Sequence, residues 1–184
     1  MNTTEDKSVL WRTRTYLVGH MQYASGRDWR EYVETELHDL NIITFNPYKK
    51  PFVKDVDEGE ETRLSLDHCQ KHGYFNDVAE RMSLVRSYDL NLVDRSDFII
   101  AHLLPEVASW GSAEELVTAV RMKKPIFISM EGGKHATPLW MMGMIPHHYI
   151  YDSIEEVVDM IKSIDSGEKK IDSDRWRLLK KELR

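Results

Sequence analysis

Cysteine is nearly absent. Cys69 is the only one in 184 residues, so no disulfide can form within the chain. A reducing compartment is the expectation that follows. Long apolar runs are also missing. No stretch reaches the roughly 18 residues that span a bilayer. The opening "MNTTEDKSVLWRTRT" carries no apolar signal core, so a cytoplasmic protein with no membrane partner is expected. Positive charge is not in excess: 25 Lys and Arg stand against 31 Asp and Glu, a formal charge of −6. That disfavours a nucleic-acid polymer as partner, which needs a basic face. A small anionic ligand held by local cations and helix N-termini stays open. There is no G-x-G-x-x-G fingerprint, Walker loop or G-x-S-x-G elbow. "HCQKH" (His68, Cys69, His72) has metal-like spacing but no second ligand pair, so no metal or cofactor is expected.

What is present is an alternation of short apolar runs and amphipathic stretches. "TYLVGH" (15–20) reads as a buried strand. In the helix that follows, Trp29, Tyr32, Val33, Leu37 and Leu40 recur at helical spacing. "NIITFNP" is β-branched and stops at Asn46-Pro47, so it reads as a strand. The polar middle, 48–78, is irregular, and loops of that length are functional or partly helical. A helix is expected over 75–94, with Val78, Met82, Val85, Leu90 and Val93 inward. "DFIIAHLL" and "KKPIFISM" are further buried strands, with a helix opening at Ser112 between them. "HHYIYDS" reads as a last strand, "SIEEVVDMIKSI" as a helix and "RWRLLKKEL" as a basic amphipathic tail helix. The Met-rich "LWMMGMI" suits a core or subunit contact better than a cofactor box. Such alternation predicts an α/β fold with a largely parallel sheet, and ligands then sit at the carboxyl ends of its strands.

The segments after those strand ends hold the candidate chemistry. In "SWGSAEELVTAV", Ser112 to Glu115 spells S-x-x-E, a capping box that would by itself explain Glu115. Position gives the other reading: an ionised carboxylate at a helix start, past a strand end, suits attack on a sugar C1′ or support of an oxocarbenium ion. Glycosidic chemistry needs a second carboxyl group. Of Asp89, Asp94 and Asp97, Asp97 suits a strand start and Asp94 looks outward, which leaves Asp89. After the first strand, Gly19, Ser25, Gly26 and Arg27 offer backbone N–H groups and a cation that could cradle a phosphate. Tyr16, Trp29 and Tyr48 are aromatics that either stack on a base or fill the core.

These pieces resemble the nucleoside 2-deoxyribosyltransferase family. The resemblance rests on "TYLVGHMQYASGRDWREYVETEL", "ITFNP" and "YDLNLVDRSDFIIAHLLPEVASWGSAEELVTAVRMKKPIFI", roughly residues 14–130. It is carried by Gly19 at a strand end, Asp89 before a strand, Gly111 to Glu115 as Gly-x-x-x-Glu, and Lys124-Pro125. The resemblance implies a single flavodoxin-like or Rossmann-like domain over 14–165, a parallel sheet flanked by helices. An N-terminal extension (1–13) would precede it, and a linker with the tail helix (166–184) would follow. It implies Glu115 as the nucleophile that forms a glycosyl-enzyme, and Asp89 as the group that meets base or sugar and handles protons. Tyr16, Gly19, Arg27, Asn46, Ser109 and Gly111 would bind substrate, a nucleoside or nucleotide, in a homo-oligomer whose neighbour closes the site. The transferases often carry Asp where this chain has Ser109. A Ser there resembles the related nucleoside 5′-monophosphate N-glycosidases, because a hydroxyl can donate to a phosphate that an Asp would repel. The segment 49–73 is longer than the family minimum. A nucleotide-binding protein without chemistry, and an NAD-directed glycosidase, are the alternative readings.

Overall fold

The apolar runs of residues 14–19, 98–103 and 126–130 fold as largely buried strands, and the amphipathic stretches of residues 25–38 and 154–165 pack buried faces against the sheet so formed. The computed structural model describes residues 8–21, 25–50, 58–107 and 109–170. In chain order the elements are β1 (Arg14–Gly19), α1 (Ser25–His38), β2 (Ile43–Phe45), α2 (Glu60–Lys71), α3 (Phe75–Arg95) and β3 (Phe98–Leu103). They continue with α4 (Trp110–Arg121), β4 (Ile126–Met130), α5 (Gly133–Ala136), α6 (Leu139–Met144), β5 (Ile150–Tyr151) and α7 (Ile154–Asp165). The expected tail helix and residues 51–57 of the long middle segment lie outside the described residues.

The five strands form one sheet in the order β2-β1-β3-β4-β5, parallel throughout. This is the flavodoxin-like order, with its switch point where the chain, having run from β1 outward to β2, returns to place β3 on β1's other side. β3 and β4 are buried on both faces: Phe98, Ile99, Ile100 and Ala101, then Ile126 to Met130. That explains their unbroken apolar character in the sequence. Leu10 also reaches this core, and its N–H is held by the buried Asp165 at 2.8 Å.

Three expectations change and one is filled in. α4 begins at Trp110, not Ser112. Ser109 is its N-cap and accepts a hydrogen bond from Ser112 N. Two S-x-x-x starts compete here, and the extended backbone at Ser109 (φ −120°, ψ 106°) decides for the earlier one. The last strand is only Ile150–Tyr151, because Pro146 leads into a 3₁₀ turn over His147–Tyr149. Within the polar middle, Glu60–Lys71 is a helix with no buried residue. Finally, only the C-terminal half of α3 packs inward, through Val85, Asp89, Leu92 and Val93, while Met82 is exposed. Lys124 fixes that end of α3, its ammonium donating to the carbonyls of Val93 (2.8 Å), Asp94 (2.7 Å) and Ser96. A lysine at a helix C-terminus satisfies orphan carbonyls and complements the dipole.

Candidate active site

At the carboxyl ends of β1, β2 and β3 the chain leaves a cavity of about 480 Å³. Its walls come from the exit of β1 (Gly19, His20), from Pro47 after β2, and from the first turn of α4 (Ser109 to Ser112). The inner face of α3 and the start of α2 close the sides. Of the residues singled out in the sequence, Tyr16, Gly19, Asp89, Ser109, Gly111 and Glu115 all line it. Arg27 and Asn46 do not. Arg27 is exposed on the outer face of α1 with its guanidinium 5.0 Å from the Tyr48 ring centroid. Asn46 is buried, but its side chain is spent on Glu34 and on the N–H of Tyr48.

Glu115 stands in the second turn of α4, beyond the reach of any capping box, and is 9% exposed. The Tyr16 hydroxyl donates to its Oε1 at 3.0 Å. Tyr16 is itself buried in β1; burial first, then Glu115, push its pKa well up, so it remains a donor. Burial raises the Glu115 pKa to about 7, Glu58 adds to the rise, and the Tyr16 bond, Arg30 and Lys50 oppose it. Its neighbour Glu114 is different in kind: exposed, and held in a two-pronged pair with Arg86 of α3 (Nε to Oε2 2.7 Å). That pair ties α3 to α4 across the cavity mouth.

Asp89 faces the same space, 7% exposed. Its pKa is raised by burial first and Glu58 second, against the pull of Lys50. Lys50 Nζ lies 2.9 Å from Asp89 Oδ1 and also pairs with Glu58. Neither Lys50 nor Glu58 was legible as a site residue. Both stand in the irregular polar middle segment, where neither "YKKP" nor "DEGEE" marks which member folding turns inward.

A third buried charge shapes the site. Arg30 has the largest fully buried side chain of the described residues. Burying a guanidinium costs several kcal/mol unless its donors are matched. Here Nε donates to Leu17 O (3.1 Å), Nη1 to His20 O (3.0 Å) and Gly26 O (2.6 Å), and Nη2 to Gly19 O (2.9 Å). Burial lowers its pKa to about 10, which leaves it charged at neutral pH. Arg30 thus ties the end of β1 and His20 to the first turn of α1. A signal for it existed: it sits on the apolar face of α1 with Trp29, Val33 and Leu37. Gly19 is required by close approach, since a Cβ there would stand 2.5 Å from His102 O on β3. A Cβ on Gly111, in contrast, would meet nothing within 4 Å, so the helix start borders open cavity.

His102 reaches Ser129 Oγ at 3.0 Å and is driven to a pKa of about 4 by burial, then by His20 and Arg30. It is neutral at pH 7 and does not line the cavity. His68 and His72 stack on α2 with ring centroids 4.0 Å apart. Among the described residues no group of three or more His, Cys, Asp or Glu side chains is placed to hold a metal, and no helix is long and apolar enough to cross a membrane.

Strand order and cavity together define an α/β protein of flavodoxin-like topology, with a carboxylate-lined cavity at its switch point. No protein-family model matches the sequence, and no curated protein matches it. Among solved structures the chain is similar to the 2-deoxyribosyltransferase of the psychrotolerant bacterium Bacillus psychrosaccharolyticus. Identity is 17% and the TM-score 0.51, over 72% of this chain and 82% of that one. It is also similar to the CMP N-glycosidase BcmB of Clostridium botulinum, at 17% identity and TM-score 0.46, over 82% of this chain and 98% of that one. The first likeness shows a common fold, the flavodoxin-like one expected from the motifs.

Proposed function

We propose that the chain cleaves the N-glycosidic bond of a nucleoside, a deoxynucleoside or its 5′-monophosphate, through a glycosyl-enzyme on Glu115, and passes the sugar to another base. One observation carries this reading: two buried carboxyl groups with raised pKa values, on different helices, border one cavity of nucleoside size at the carboxyl ends of the central strands. Tyr16 holds Oε1 of Glu115, which leaves Oε2 to attack C1′. The C1′–N pair passes to the base, and protonated Asp89 supplies the proton. The incoming base then displaces Glu115 and returns a proton to Asp89. Water in place of the second base gives hydrolysis instead.

Ser109 favours the hydrolytic alternative, a 5′-monophosphate N-glycosidase. Its hydroxyl lines the cavity at the α4 N-terminus, donating only to Ser112 Oγ (3.1 Å). Rotation would aim it at a phosphate, and the helix dipole favours the same charge. A homo-oligomer belongs to this reading and is supported by exposed apolar side chains on α6, Leu139 at 91% and Trp140 at 83%.

The test is a panel of nucleosides and their monophosphates, each with and without a second free base, followed by chromatography. Exchange of bases supports transfer, and release without exchange supports hydrolysis. Neither, with every substrate, refutes the reading and leaves a nucleotide-binding role without chemistry.

A further inference from the structure

Lys50 lies after β2, and Glu58 stands two residues before the start of α2, next to its N-cap Gly59. Neither belongs to the motifs that carry the family resemblance. Yet the Lys50 side chain is only 3% exposed, and its one ammonium serves two carboxyl groups, Glu58 and Asp89. The protonation of Asp89 then depends on whether the ammonium is already matched. With Glu58 ionised and Asp89 protonated, the three groups sum to zero charge. With both ionised they carry −1 in a space largely closed to water, which is costly. Without Glu58 the ammonium would answer to Asp89 alone and ionise it.

We propose that Lys50 and Glu58 are positioning residues with opposite tasks: Glu58 engages the ammonium and so keeps Asp89 as the proton donor to the leaving base, and Lys50 then meets the negative charge that Asp89 acquires. This rests on the roles given above to Asp89 and Glu115. The balance is simple. As Glu115 Oε2 bonds to C1′, the C1′–N electron pair passes to the base, whose nitrogen takes the Asp89 proton. Asp89 becomes a carboxylate 2.9 Å from an ammonium. In the second half an acceptor N–H or water gives its proton back as its lone pair displaces Glu115. Other charged or titratable groups line the same cavity: Glu115 and Glu114 from α4, Tyr16 from β1, His20 just after it, Arg30 from α1, Arg63 from α2, and Arg86 on α3 itself. Arg86 and Glu114 are tied to each other. Burial and Glu58 raise the Asp89 pKa, and Lys50 lowers it. Glu58 and Lys50 act on Glu115 with the same signs.

Opposite charge changes therefore give opposite outcomes. In this mechanism kcat follows a bell, with Glu115 ionised on the acid side and Asp89 protonated on the alkaline side. Glu58→Gln is expected to move the bell to lower pH by about one unit or more, and Lys50→Met to move it up by a similar amount, the usual effect of one nearby charge. Altered kcat with the bell in place would overturn the inference. A second measurement does not need turnover. In carboxyl-¹³C-aspartate protein, with the Asp89 signal assigned by Asp89→Asn, the midpoint should fall in Glu58→Gln and rise in Lys50→Met. Coincident midpoints overturn the inference even if no substrate is ever cleaved. Shifted midpoints without any base release from wild type would support the charge arrangement while refuting the proposed reaction.

Discussion

Glu115→Gln separates a reactive carboxylate from a structural one by its effect on stability as well as on rate. The folded protein holds Glu115 at a pKa of about 7, against an ordinary 4.5. A raised carboxyl pKa means that ionisation opposes folding. Below about pH 4.5 the group is protonated folded or unfolded and costs nothing; the cost grows as pH rises and is complete above about pH 7. At 1.36 kcal/mol per unit, this difference amounts to about 3 kcal/mol at pH 8. Glutamine mimics the protonated acid, and its Oε1 still accepts the Tyr16 bond. The variant should match wild type near pH 4.5 and exceed it by about 3 kcal/mol at pH 8, or about 6–12 °C in Tm for a chain of this size. Base release or exchange should be abolished. Urea or thermal unfolding of both proteins at several pH values measures the first effect, and the substrate panel the second. A variant no more stable than wild type at pH 8 would refute the burial argument. Full activity would refute the nucleophile.

Asp89→Asn should lower kcat by about 10²–10⁴, the usual contribution of a general acid, without loss of stability; normal kinetics would remove Asp89 from the reaction. Ser109→Ala should cost about 1 kcal/mol as a lost helix cap, while kcat/KM falls further for a 5′-monophosphate than for the nucleoside. An equal fall for both would refute the phosphate contact. Arg30→Met strands buried carbonyls that share one donor group, and a loss of about 3–5 kcal/mol is expected by analogy with breaking a buried pair. Chemical unfolding at pH 7 reads it, and an unchanged midpoint would count against the clamp. If Leu139 and Trp140 meet a second copy, changing both to Glu should shift sedimentation toward the monomer, and an unchanged coefficient would exclude that face.

The strands were legible because burial on both faces leaves unbroken apolar runs, as in "FIIA" and "IFISM". The start of α4 was not, because "SAEE" and "SWGS" are equally good local starts, and only the approach from β3 chooses between them. Asp89 and Glu115 were legible as separate candidates through motif order. Their sharing of one cavity, however, depends on how α3 and α4 pack, which no local periodicity encodes. Lys50 and Glu58 were invisible for a related reason. A lysine beside another lysine, and a glutamate in an acidic run, are solvated by default; burial of one of each is a long-range effect. Arg30 was missed although its place on the apolar stripe of α1 marked it, since the carbonyls that justify its burial lie in the preceding strand and turn.

Those carbonyls have a further consequence. A guanidinium with a pKa near 10 does not change charge between about pH 5 and 9, so the bonds that tie the end of β1 to the start of α1 keep their donor over that whole range. The carboxyl groups that line the same cavity titrate near neutrality. Frame and reactants therefore answer to different parts of the pH scale. The Arg30 bonds act as a fixed datum for the cavity, and a change of rate with pH can be credited to the reacting carboxyls and the charges beside them, not to a loss of the bonds that join β1 to α1.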